Sequence, residues 1–208
     1  VPAHPDYLID GDSRAPTIIL AHGAGATMDS PFMNYFTAGL AAHNFCVVRF
    51  EFPYMRARRT DGKKPGPNRA PVLIESWHRV IEKFGPAADL IIGGKSMGGR
   101  IASLIADDSG VRGLVCLGYP FHPAGKPEKT RTEHLAGLKT PTLILQGTRD
   151  RLGSPDDVAG YRLSKKIDVQ WMEAGDHSFT PTKKSGRTEA QNWDEGVAVV
   201  KKFADGLP

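Results

Sequence analysis

The chain has 208 residues, 40 % of them hydrophobic and 24 % charged, with a formal net charge of +4. That length buries a sizeable core without disulfides or a metal, and the balance excludes a disordered chain. No apolar run approaches the roughly 18 residues of a membrane-spanning helix, and no aromatic ladder or nucleic-acid motif accompanies the positive charge. One domain over residues 1–208 is therefore expected, with neither membrane nor nucleic acid as partner. The opening "VPAHPDYLIDGDSRAP" carries no signal or transit character, so a cytoplasmic location is expected.

In chain order, strands are expected at Thr17 to Ala21, Cys46 to Phe50, Leu90 to Ile92, Leu114 to Leu117, Thr142 to Leu145 and Val169 to Met172. Most are continuously apolar, as suits parallel strands covered on both faces. Helices are expected between them, at Pro31 to His43, Pro71 to Phe84, Met97 to Asp108, Pro155 to Ser164 and Glu189 to Ala204. The second helix should bury Val72, Leu73, Ser76, Val80 and Phe84. The stretches Asp61 to Pro71 and Pro120 to Lys129 read as long loops. Cys46 and Cys116 sit in apolar runs and read as buried thiols, and no metal-ligand spacing occurs. Regular alternation of strand and helix implies an α/β fold, a mostly parallel sheet flanked by helices with ligands at the carboxyl ends of the strands.

At that edge "LIIGGKSMGGR" has two readings. A phosphate loop of the G-x-x-x-x-G-K-[ST] type needs a glycine where Asp89 stands, and the abutting strand leaves no room for it. The alternative is the G-x-S-x-G elbow, in which Gly94 and Gly98 relieve collisions around a strained Ser96.

A serine hydroxyl needs a base, and the base needs an orienting carboxylate. Hydrolases built on this elbow place the acid and then the histidine after the serine. Of seven histidines, His177, just beyond the last strand, best fits the base; His122 and His134 read as loop or helix-end residues. Asp150, after Thr142 to Leu145, best fits the acid. Asp156 and Asp157 are explained by helix capping, and Asp176 adjoins His177 too closely. Oxyanion donors are expected from the Met97 N–H, at a helix N-terminus, and from "HGAGA" after the first strand, with Ala24 favoured over Gly23. His22 reads as a structural hydrogen-bonding residue.

With these parts assembled, the chain resembles the α/β-hydrolase superfamily over nearly its whole length. The segments "HGAGATMDSPFM", "VVRFEFPYM", "GGKSMGGR", "CLGYPFHPAGKPEKTRTEHL" and "LILQGTRD" look like a compact, lidless α/β-hydrolase-like (dienelactone-hydrolase-like) family. True dienelactone hydrolases carry cysteine where Ser96 stands, so the resemblance does not extend to a substrate. It implies a serine hydrolase acting on a small-molecule ester or thioester, without metal or organic cofactor. Relatives that include a scaffold-like subunit of a nuclear acetyltransferase complex supply the alternative, a non-catalytic interaction protein.

Only 24 residues separate Leu117 from Thr142, too few for a large lid. An open site is expected, walled by Tyr54, Met55, Tyr119, Phe121 and His122. Lys95, confined beneath the nucleophile, needs an anion and is expected to pair with Glu51. The segment Tyr54 to Arg69 has six basic residues (Arg56, Arg58, Arg59, Lys63, Lys64, Arg69) against Asp61, suggesting a solvated loop or a contact for an anionic substrate.

Overall fold

The computed structural model describes residues 5–61 and 65–208, apart from the Asp61 side chain; Lys63 and Lys64 of the basic segment lie outside the described residues. Seven strands form the sheet: β1 (Tyr7–Asp10), β2 (Thr17–Ala21), β3 (Cys46–Phe50), β4 (Ile91–Lys95), β5 (Gly113–Leu117), β6 (Thr142–Gly147) and β7 (Ile167–Met172). Their spatial order is β1-β3-β2-β4-β5-β6-β7, parallel throughout except for β1, which runs antiparallel to β3. The helices are α1 (Pro31–Ala42), α2 (Pro53–Asp61), α3 (Ala70–Phe84), α4 (Met97–Ser103), α5 (Ala106–Ser109), α6 (Pro155–Ala159) and α7 (Glu189–Asp205).

Alternate side chains of the central strands supply two cores. Ile18, Leu20, Val47 and Ile91 pack with Phe36 and Leu40 of α1 and Val197 and Val200 of α7. Ile19, Val48 and Ile92 pack with Trp77 and Val80 of α3 and Ile101 and Ala102 of α4. Continuous apolar runs thus mean two covered faces, as expected. No helix among the described residues is long and apolar enough to cross a membrane. Both cysteines are free and buried, and burial pushes the Cys116 thiol up.

The structure differs from the sequence expectations at several elements. β1 has only four residues and little alternation; Asp10 earns its place by pairing with Arg49 of β3 at 2.7 Å. The start of the basic segment is α2 rather than a loop, because Tyr54 and Met55 are buried and anchor its first turn. The segment Met97 to Asp108 divides into α4 and α5 at Ile105, and Gly160 ends α6 early. In α3 the stripe is rotated: Leu73, Trp77, Val80 and Ile81 are buried, whereas Val72 is 43 % exposed. Trp77, packed edge-on to Phe50 at 4.8 Å, sets that rotation.

The turn from β4 to α4 is the tightest place in the molecule. Ser96 has φ 51° and ψ −112°, outside the regions that L-residues favour. Gly94 has φ +149°, and a Cβ there would lie 2.1 Å from the Ala21 carbonyl oxygen; one at Gly98 would lie 2.4 Å from the same atom. Gly94→Ala combines overpacking with positive-φ strain and is expected to destabilise the chain by about 3 kcal/mol. A urea unfolding midpoint equal to the parent's would contradict that geometry.

Candidate active site

The strained turn lifts Ser96 clear of the sheet at the carboxyl end of β4. Its N–H donates to the Leu117 carbonyl at 3.0 Å, fixing the turn to β5. The Ser96 hydroxyl Oγ lies 2.8 Å from His177 Nε2, and His177 Nδ1 lies 2.7 Å from Asp150 Oδ2. An ionised carboxylate only accepts, so Nδ1 carries the proton and Nε2 is left to accept from the serine. The three residues singled out from sequence converge.

Asp150 is sealed from solvent. Oδ1 accepts the Leu152 N–H at 2.9 Å, and Oδ2 accepts from both His177 and Gln146 Nε2, the latter at 2.9 Å. Gln146, at the end of β6, also donates to the carbonyls of Tyr119 and Gly153 at 3.1 Å each and accepts the Tyr119 N–H at 2.8 Å. Sequence reasoning missed this residue. The available signal was an amide in a strand otherwise made of apolar residues, where burial demands partners.

The loop carrying His177 is held by α7. Asn192 Nδ2 donates to the Phe179 carbonyl at 2.7 Å and Trp193 Nε1 to the Ser178 carbonyl at 2.9 Å. Asp176 caps the loop, accepting the N–H groups of Ser178 and Thr180 at 2.8 and 3.0 Å. Phe179, fully buried at φ 66°, packs against Phe32 and Phe36. This loop is therefore rigid on one side by hydrogen bonds and on the other by aromatic packing.

Lys95 does not pair with Glu51. Its amine donates to the His177 carbonyl oxygen at 2.7 Å and lies 5.4 Å from the Phe32 ring centroid. Burial pulls its pKa down to about 8, against the attraction of Asp150 and Asp176. The expected pairing failed because Glu51 is taken by Arg59. Arg59 Nε contacts both carboxylate oxygens at 2.9 Å and Nη2 contacts Oε1 at 2.7 Å. Glu51 also accepts the Met28 N–H at 3.2 Å, while Arg49 donates to the Met28 carbonyl at 2.9 Å. Arg59 reaches Asp29 at 2.6 Å as well.

These charges therefore clamp the loop that follows β2. The Tyr54 hydroxyl completes the clamp by donating to the Ala24 carbonyl at 3.0 Å. His22 Nε2 accepts the Phe52 N–H at 3.1 Å and Nδ1 donates to the Gly23 carbonyl at 2.7 Å, the structural role expected of it. Among the hydrogen bonds of the described residues, neither the Ala24 nor the Met97 N–H has an acceptor.

None of the five residues expected as walls lines the cavity beside His177. Tyr54, Met55, Tyr119, Phe121 and His122 are all buried, with exposures of 4 % or less. Tyr119 and Phe121 turn inward because the segment after β5 folds back on the sheet, with Phe121 stacked on Tyr161 at 5.7 Å. His122 Nδ1 donates to the Pro123 carbonyl at 2.9 Å. Three arginines of the basic segment are engaged as well: besides Arg59, Arg56 meets Asp6, and Arg58 holds the Pro65 carbonyl at 2.7 Å and covers the Tyr54 ring.

A cavity of about 440 Å³ opens beside His177, lined by Arg149, Asp150, Arg151, Leu152 and Asp176. Two larger hollows, of about 490 and 530 Å³, lie at the amino ends of the strands, near Pro141 and Thr17, and cannot serve Ser96. No group of three or more histidine, cysteine, aspartate or glutamate side chains among the described residues could hold a metal ion. Because Glu51 is buried, Glu51→Ala leaves Arg59 without its main partner and is expected to cost about 3–5 kcal/mol. Chemical denaturation reads this loss, and an unchanged midpoint would show the clamp to be dispensable.

Comparison with known proteins agrees with this architecture. A serine hydrolase homologue from Coxiella burnetii superposes with a TM-score of 0.68 at 19 % identity, covering 94 % of this chain and 89 % of that one. XC6422 from Xanthomonas campestris, described as a serine hydrolase without a lid, gives 0.68 at 17 % identity, covering 100 % and 92 %. The esterase domain of a Rhodothermus marinus protein gives 0.68 at 14 % identity, covering 96 % and 91 %. At such identities the likeness is one of fold. A family model described as "Alpha/beta hydrolase domain" matches residues 14–205, and the chain belongs to that family.

Proposed function

We propose that the protein is a serine hydrolase that cleaves a carboxylic ester or thioester through an acyl-enzyme, its residues 1–208 acting as one domain. The observation that carries this reading is the unbroken relay from Ser96 Oγ to His177 at 2.8 Å and on to Asp150 at 2.7 Å. His177 Nε2 takes the hydroxyl proton as Oγ attacks the carbonyl carbon, and Asp150 stabilises the imidazolium that forms. The oxyanion is received by the N–H groups of Met97 and Ala24, each donor being worth about 3 kcal/mol of barrier. His177 then returns the proton to the departing alcohol or thiol. In the second half, water gives its proton to His177 as it attacks the acyl carbon, the acyl–Oγ bond breaks, and His177 returns the proton to Ser96 Oγ as the acid leaves.

Lys95 supports this chemistry without touching the reacting atoms. By holding the His177 carbonyl it keeps the imidazole within reach of both partners. The buried amine still donates when neutral, so its loss of charge near pH 8 does not by itself break the contact.

A fluorophosphonate probe is expected to label the folded protein, and Ser96→Ala to abolish labelling. A folded, unlabelled parent would instead favour the non-catalytic interaction protein. Asp150→Asn should lower kcat by about 10⁴-fold, since the wrong histidine tautomer is stabilised. Lys95→Met should lower kcat by about tenfold while leaving KM nearly unchanged, the signature of a positioning residue. If Lys95→Met lowers only the unfolding temperature, the lysine is structural alone.

A further inference from the structure

Of the partly buried arginines among the described residues, two have no partner for the guanidinium; Arg58 and Arg112 meet backbone carbonyls, and Arg69, Arg151 and Arg162 are exposed to solvent. Arg14, Arg49, Arg56, Arg59, Arg79 and Arg187 each meet a carboxylate. Arg100 and Arg131 do not: among the described residues neither guanidinium makes a hydrogen bond or ion pair, and Arg100 Nε is buried without a partner.

Arg100 lies close to Ser96, and Arg131 lies close enough to Arg100 to feel its charge. Arg100 is one turn beyond Ser96, its N–H donating to the Ser96 carbonyl at 3.0 Å. Ser103 shares its face of α4, and Ser103 Oγ contacts both the Arg100 carbonyl at 2.7 Å and His134 Nε2 at 2.8 Å. His134 thereby lays the segment after β5 over that face. Arg131 lies within this segment, its N–H donating to the Phe121 carbonyl at 2.8 Å and its carbonyl accepting the Tyr119 hydroxyl at 2.9 Å. Burial, and next the nearby Arg100 charge, hold Arg131 below the usual guanidinium range; the same two causes lower His134. The neighbouring acid, Glu133, accepts from Thr130 instead, at 3.4 Å.

Two guanidiniums in a partly buried place repel one another, and a buried donor left unmade costs about 1–3 kcal/mol. A carboxylate or phosphoryl oxyanion relieves both, because the planar fork of donors fits its oxygens. We propose that Arg100 and Arg131 form a subsite for an anionic group at the far end of the substrate, about one helical turn from Ser96. What is cleaved there rests on the serine-hydrolase reading; the binding of the anion does not.

The test has a binding arm and a turnover arm. In Ser96→Ala, calorimetric titration with glutarate, inorganic phosphate and uncharged glutaramide should show saturable binding of an anion and none of the amide. Affinity should fall by about tenfold in Arg131→Gln and in Arg100→Gln, with Arg131→Lys recovering only part, as expected where a fork is needed. Tighter binding of glutarate assigns a carboxylate, and tighter binding of phosphate a phosphoryl group. In the intact enzyme, kcat/KM for a nitrophenyl hemiglutarate should exceed that for nitrophenyl butyrate by about tenfold, the excess shrinking with salt and in Arg131→Gln. Absence of anion binding, or binding equally tight in both glutamine variants, overturns the subsite. Anion binding that depends on the arginines, in a protein that cleaves neither ester and resists the fluorophosphonate, upholds the subsite and overturns the hydrolase reading.

Discussion

The contact on which the rest depends is the approach of the β4–α4 turn to the carboxyl end of β2. Gly94 and Gly98 both lie against the Ala21 carbonyl, and no side chain fits at either position. Because β2 and β4 are neighbouring parallel strands, this approach sets the Ser96 turn beside the loop that leaves β2. The strain at Ser96, of the order of 1–3 kcal/mol, is held by the central strands on either side of the turn. Ser96 and the loop that leaves β2 are brought side by side by this one close packing.

Around that turn the chain uses charge to fasten loops rather than to greet solvent. Glu51 and Arg49 seize the N–H and C=O of Met28 and so tether the segment after β2 at two atoms of one peptide neighbourhood. Arg59 neutralises Glu51 from α2, which explains why a helix so rich in arginine packs at all. Lys95 fastens the opposite side, where the loop bearing His177 is also gripped by Asn192 and Trp193 of α7. Buried charges cost solvation, and Glu51, Arg49, Arg59 and Lys95 are each offset by a backbone or carboxylate partner.

Much of the site was legible because its chemistry is local. The glycines around Ser96 follow from a steric rule that spans five residues, and Asp150 and His177 stand out because they come after successive strands in the order that hydrolases with this elbow follow. Gln146 and the inward turn of Tyr119 and Phe121 were not legible, since they depend on segments that meet only when the sheet is assembled. Loop aromatics look alike in sequence whether they face a substrate or a core; here the fold-back after β5 turned them inward. The four-residue β1 was missed for a related reason, its pairing being decided by Arg49 on a strand far along the chain.

The sequence by itself determined the alternation of buried strands and amphipathic helices and the tight turn at Ser96, and it singled out His177 and Asp150 as the side chains that would meet there. The first two are written in residues close together or in a period that local geometry imposes, and the last follows from the order in which such elbows are followed by an acid and a histidine. Only the tertiary structure decided the partners of the charges. Lys95 and Glu51 are compatible by charge and end on neighbouring parts of the sheet edge, yet Arg59 reaches Glu51 with a bidentate fork and leaves Lys95 to a carbonyl. Attraction between charges is not written in sequence order: it depends on which side chains burial brings within a few ångströms, and on which geometry satisfies the most donors.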